Sequence, residues 1–224
     1  MHKAILEYVE KNLPSLPETY GWSIPDSVPC KFEWTEGETS LMDKNLSLKT
    51  RLHDAWLVGS PLERVRLCNW YIADWGGIHT NSEQNITFYS VGDEDEIMSR
   101  GITGIASWSK ALTVRDPYRF AIFDARTSIS LNAIQILNGV SAPVFFPKLP
   151  SRNGRVVAAQ KVVASMARQQ ASAKIDNRSC YSTYRDMLAH IATSLGQGVS
   201  NQMVEMVLFS KADELSEALY TRKQ

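Results

Sequence analysis

Apolar residues recur at helical spacing along most of this chain, so helix is the expected state of most segments. Residues 1–13 open with Met-His-Lys-Ala-Ile-Leu-Glu-Tyr-Val-Glu, an amphipathic acidic helix rather than a signal peptide. Residues 14–40 are rich in Pro, Glu and Thr, but Tyr20, Trp22, Phe32 and Trp34 interrupt them. Aromatics are scarce in disordered tracts, so an ordered arm is expected there. Asp54 to Gly59 and Leu62 to Ala73 read as helix, with Leu62, Val65, Arg66, Asn69, Trp70 and Ala73 on a shared face. Trp75-Gly76-Gly77 stops that helix. In residues 79–92 the strip Ile86-Thr87-Phe88-Tyr89 suits a short strand or a loop, and Asp93 to Glu96 suits a first helical turn.

Farther along, Ala106 to Leu112 predicts a helix carrying Lys110, and Asp124 opens another that runs through Ile129, Ala133, Ile134 and Leu137 to Asn138-Gly139. Pro143, Pro147, Pro150 and Gly154 mark residues 139–154 as a connector. Helices over 155–173, Tyr181 to Leu195 and Gln202 to Tyr220 follow. The expected fold is all-α, a single two-lobed domain over 1–224 with its site between the lobes. Residues 1–60 would form an N-terminal arm and helices, and 61–224 a catalytic helical body.

Composition narrows this picture. The 224 residues are enough for a proper core, and no stretch approaches the ~20 apolar residues of a membrane span. Three widely spaced cysteines (Cys30, Cys68, Cys180) and four unpaired histidines argue against a zinc site or a disulfide framework and for a reducing cytoplasm. The zero net charge hides an asymmetry. Residues 1–98 hold 8 Lys and Arg against 16 Asp and Glu, and residues 99–224 hold 16 against 8. A neutral chain polarised in this way can present a basic face to a phosphate backbone. Two solvated surfaces of opposite sign are the plainer account.

The basic half also holds the most distinctive chemistry. Lys110 lies in an apolar helical segment, and Asp124 begins a helix fourteen residues later. An amine and a carboxylate on neighbouring helices are the equipment for attack at an N-glycosidic carbon. The amine serves as nucleophile once desolvation favours its neutral form, and the carboxylate stabilises the cationic sugar or accepts a proton. Taken singly, each residue has an ordinary explanation: Asp124 as a helix cap, Lys110 as a surface lysine.

Trp108-Ser109-Lys110 followed by Ile122-Phe123-Asp124-x-Arg126 resembles the catalytic region of the helix-hairpin-helix DNA glycosylases, in particular the bacterial 8-oxoguanine-glycosylase-like branch. Trp70 to Gly77, Tyr181 to Tyr184 and Val204 to Phe209 are similar to other segments of such proteins, so the likeness runs from about residue 60 to 215. The resemblance implies that Lys110 is the catalytic lysine and Asp124 the catalytic aspartate. The hairpin counterpart is Arg100-Gly101-Ile102-Thr103-Gly104, with two residues between glycines where the family has one, and the gap from lysine to aspartate is shorter than the family's. Gly101 and Gly104 would hold a phosphate through backbone N–H groups. If Lys110 does not reach the sugar, Asp124 acts through water and no lyase step follows.

An excised base must first leave the duplex. Trp70, Tyr71, Trp75 and Trp108, together with Phe88 and Tyr89, are the aromatic candidates for its pocket, with Asp74 as a reader; one or two would line a pocket and the rest pack the core. Arg126 is a candidate to hold a phosphate, and Arg152, Arg155, Arg178 and Arg185, with Tyr181 and Tyr184, are the candidates for a DNA-facing wall. The expected partner is double-stranded DNA carrying a damaged or modified base. No cofactor, metal, membrane or obligate protein partner is expected. Oxidised guanine and a bulky phage-modified base, such as glucosylated hydroxymethylcytosine, are equally open. A non-catalytic DNA-binding or defence-associated protein on the same fold is the alternative, and a metal-dependent nuclease a remoter one.

Overall fold

A computed structural model describes residues 1–30, 33–169 and 173–222. Twelve α-helices carry almost all of the regular structure among these residues, so the chain is all-α. They are α1 (His2–Asn12), α2 (Leu16–Thr19), α3 (Leu41–Val58), α4 (Pro61–Trp70), α5 (Glu83–Val91), α6 (Glu94–Ser99), α7 (Ile105–Arg115), α8 (Ala125–Leu137), α9 (Gly154–Gln169), α10 (Cys180–Leu195), α11 (Asn201–Ser210) and α12 (Ala212–Thr221). Two short strands, β1 (Val144–Phe145) and β2 (Ala173–Lys174), pair in parallel with Val144 opposite Ala173. No helix among the described residues is long and apolar enough to cross a membrane.

The helices gather into two compact units, one of residues 1–16 and 123–224, the other of residues 17–122. The division falls at 16/17 and 122/123. In the unit of residues 17–122, α7 packs against α3, α4 and α5. In the other, α8 is the central helix, contacted by α1, α9, α11 and α12. Every α8 residue from Thr127 to Ile136 is buried.

Local chemistry explains most boundaries. Ser40 and Ser60 each form a reciprocal capping box, with Asp43 and Glu63 respectively, so α3 and α4 start where two orphan N–H groups are satisfied together. Pro61 at the first position of α4 costs no hydrogen bond there. Helix α3 thus begins at Leu41, well before Asp54. The buried residues of α4 are Leu67, Cys68 and Trp70, whereas Leu62 is 69% exposed, so of the predicted shared face only Trp70 is buried. Residues 86–89 are helical rather than a strand or loop. Ser82 caps α5, and packing on α4 and α7 overrides the β preference of the Ile-Thr-Phe-Tyr strip. The predicted 202–220 helix is two, broken at Lys211, where α12 turns off to pack on α8 and α9. Phe32, and residues 170–172 of the predicted 155–173 helix, lie outside the described residues.

The connector after α8 is docked by side-chain amides. Asn132 donates to the Phe146 carbonyl at 3.1 Å and accepts from the Phe146 N–H at 2.8 Å. Gln135, one turn on, does the same to Val144 at 3.0 and 2.9 Å. The two amides thus treat the connector as a neighbouring strand and satisfy main-chain groups that burial would otherwise orphan. Asn132→Ala, which strands both Phe146 groups, is expected to destabilise the protein by about 2–3 kcal/mol. Asn138→Ala, at an exposed position of the same helix end, should cost less than about 0.5 kcal/mol. Urea unfolding of the two variants checks the difference.

Candidate functional site

Lys110 is not a surface lysine. It lies on α7 with only 4% of its surface exposed, and its Nζ donates to the Ala106 carbonyl one turn back at 3.0 Å. Helix α7 starts from Gly104, whose φ of 72° is left-handed and natural only to glycine. The Lys110 stem runs along the backbone of Gly76. A Cβ at Gly76 would sit 2.6 Å from Lys110 Cε and 2.7 Å from the Ile72 carbonyl oxygen. Only a residue without a side chain leaves room for the lysine there.

Gly76 is placed by an unusual piece of helix. Tyr71–Trp75 continues α4 as a single π turn, in which Tyr71 and Trp75 stack with ring centroids 4.3 Å apart. Such turns are rare and frequently sit at functional sites. A closed set of hydrogen bonds fixes this one. Trp75 Nε1 donates to Asn45 Oδ1 at 2.9 Å, Asn45 Nδ2 donates to the Trp22 carbonyl at 2.9 Å, and Trp22 Nε1 donates to the Trp75 carbonyl at 3.0 Å. The arm before α3 is therefore ordered by its tryptophan, which holds the corner that cradles Lys110.

Asp124 is the N-cap of α8. Its Oδ1 accepts from the backbone N–H groups of Arg126 at 2.8 Å and Thr127 at 3.1 Å. In return the Asp124 N–H donates to Thr127 Oγ1 at 2.9 Å. One carboxylate oxygen is thus committed to the helix, while Oδ2 has no hydrogen-bond partner among the described residues. The side chain is half-buried, in the position where a helix N-terminus favours negative charge. Lys110 belongs to the unit of residues 17–122 and Asp124 to the other.

The remaining predicted residues divide sharply. Trp70, Tyr71, Trp75 and Trp108 are all buried and pack the core; Trp108 donates from its indole to the Thr103 carbonyl at 3.2 Å. Asp74 is exposed. Gly101 and Gly104 both adopt positive φ, at 58° and 72°, so the turn before α7 has the backbone bend its glycines suggested. Arg126 is drawn aside by Asp213 at 3.4 Å and lies over the Phe209 ring. Asp213 is itself held by Asn153 Nδ2 at 2.7 Å. Arg155 faces Glu217 at 4.0 Å and Arg185 faces Asp186 at 3.5 Å. Arg152 and Arg178 are exposed.

Tyr181 and Tyr184, expected on the DNA-facing wall, are instead buried; sequence reasoning assigned no task to Thr127 or Glu205, which are buried in the same unit as Asp124. Burial pushes the Tyr184 phenol well above its ordinary range, and the charges of Glu205, Tyr181 and Asp124 push it further the same way. A signal for Glu205 existed: it is the one carboxylate in the apolar run Val204 to Phe209. No family model, curated protein or solved structure matches this chain.

Gly76→Ala is expected to destabilise the protein by about 1–3 kcal/mol through overpacking, because the new methyl meets both a backbone carbonyl and the lysine stem. Gly21→Ala, where a methyl meets nothing within 4 Å, serves as the control. Thermal unfolding of the pair reads the effect.

Proposed function

We propose that this protein is a DNA N-glycosylase that flips out a damaged or modified base and cleaves its bond to the sugar. The observation that carries the reading is the condition of the two side chains the resemblance singled out. The amine is sequestered from water on a snug glycine seat. The carboxylate is fixed through one oxygen and open at the other.

The chemistry follows from those conditions. As the glycosidic bond breaks, positive charge grows on the sugar, and a carboxylate held by two backbone N–H groups is pre-oriented to stabilise it without reorganising. The open Oδ2 also accepts the proton released by the attacking nucleophile. If that nucleophile is the Lys110 amine, its nitrogen bonds C1′, the base departs with the glycosidic electron pair, and ring opening gives a Schiff base. If it is water, the product is an abasic site and Lys110 serves the sugar electrostatically. The substrate class is 8-oxoguanine-like or a bulky phage-modified pyrimidine, with antiviral defence as the role in the second case.

Two DNAs test this, one carrying 8-oxoguanine and the other phage DNA with glucosylated hydroxymethylcytosine. Released bases are read by mass spectrometry, with borohydride trapping in parallel. Release from one DNA is expected, falling by at least ~10²-fold in Asp124→Asn. An adduct trapped in the wild type and lost in Lys110→Ala assigns the amine as nucleophile. Retained DNA binding with no release from either DNA turns the reading toward a non-catalytic DNA-binding protein.

A further inference from the structure

Acidic residues are missing from one long stretch of this chain. From Ala125 to Ile175, 51 consecutive residues, the sequence holds seven Lys and Arg and no Asp or Glu. The unit of residues 1–16 and 123–224, which contains that stretch, is positive as a whole, with 14 Lys and Arg against 9 Asp and Glu. Three of the cations share one side of it. Lys161 and Arg168 lie seven residues apart on α9, so two helical turns bring them to the same face. Lys174 is on β2, whose Ala173 lines a cavity together with Met166 of α9, so the strand adjoins the end of the helix that carries Arg168. The opposite side of α9 is its packing face, where Val156, Ala159, Val163 and Ala167 are buried and α8 and α12 are its neighbours. Lys161, Arg168 and Lys174 are all exposed, and among the described residues none of them has an ion-pair partner. The arginines of the same unit are spent differently: Arg126 on Asp213, Arg155 on Glu217 and Arg185 on Asp186.

We propose that the outer face of α9, continued by β2, is a surface for the phosphate backbone of double-stranded DNA, contacted by Lys161, Arg168 and Lys174. The choice of DNA rests on the excision reading; the contact itself needs none of its chemistry. One unpaired surface cation is ordinary. Three on adjoining elements, with no acid in the sequence between them, make a field of one sign, which repels itself and is of use for drawing in a partner of the other sign. The phosphates of a duplex are such a partner, and cations that neutralise them release condensed counterions, so the gain is independent of sequence and steeply dependent on salt. Lys161 and Arg168 are about 10 Å apart along the helix axis. The residues between them on that face, Ala164 and Ser165, are too small to hold a backbone off. Contacts of this type set the register and orientation of a duplex and leave discrimination of the base to other residues.

The test is a salt series. Fluorescence anisotropy follows binding of the full chain to an unmodified duplex and to the same duplex carrying 8-oxoguanine. Lys161→Gln/Arg168→Gln is expected to weaken both duplexes alike and to lower the steepness of log affinity against log salt by about two. Lys174→Gln should lower it by about one, and decides the matter should the double variant not fold. Lys3→Gln/Lys11→Gln takes the same charge from exposed positions on α1 of the same unit, and is expected to leave the steepness in place. An unchanged steepness in the folded α9 double variant or in Lys174→Gln, or one lowered as much by the α1 pair, overturns the surface. A loss confined to the 8-oxoguanine duplex assigns these cations to the base and overturns their backbone role. So does binding to phosphatidylserine vesicles through the same three cations with no affinity for either duplex. Duplex binding that needs these cations, in a protein releasing no base from any DNA, upholds the surface and overturns the excision reading. Base release with the steepness unchanged in every variant does the reverse.

Discussion

A side-chain amide taken out of water must find partners, since leaving it unpaired costs more than most apolar contacts gain. That constraint fixes where the irregular parts of this chain lie. Asn45 bonds the Trp22 and Leu41 carbonyls and the Trp75 indole. Asn132 and Gln135 bond the connector at Val144 and Phe146. Gln160 reaches the Leu149 carbonyl at 2.9 Å. In each case a helix projects one amide and a loop closes on it. The helices alone would pack with many small adjustments; the amides admit one register.

The two candidate catalytic side chains depend on this fastening in different ways. Lys110 rests on a glycine whose position follows from the π turn, and the π turn follows from Asn45 and the arm. Asp124 depends instead on the cap of α8, which Thr127 completes from inside the same unit. The lysine stem is held by shape, against a surface with no room for a methyl group, and its amine by the Ala106 carbonyl. The carboxylate is held by hydrogen bonds. Shape tolerates a longer or shorter side chain poorly but is indifferent to charge, whereas the cap tolerates little change in charge or in hydrogen-bonding groups.

Helical periodicity and punctuation made most of the fold legible. The ends at Gly76-Gly77 and Asn138-Gly139, the acidic start near Asp93 and the placement of Lys110 and Asp124 on successive helices all follow from local rules that the structure obeys. The failures share a cause. Ile86 to Tyr89 has strand propensity but no strand to pair with, and its helix comes from neighbours distant in sequence. The break at Lys211 has no glycine or proline to announce it and exists because α12 packs on α8 and α9. The aromatics around Trp70 looked equally suited to a pocket and to a core, and only burial distinguishes the two. Glu205 stood in plain view as an acid within an apolar run, and only the structure shows it buried.

The Asn132–Gln135 pair has a consequence for how such a chain tolerates change. Both amides engage main-chain atoms of the connector and ignore its side chains. A segment recognised through its peptide groups keeps its path when exposed side chains are replaced, so Ser141, Ala142 and Lys148 are free to drift in sequence as long as α8 retains its two amides, whereas Phe145, Phe146 and Leu149 are held by the core. Among descendants of this chain, the exposed positions of the docked segment would diverge quickly and its dock hardly at all.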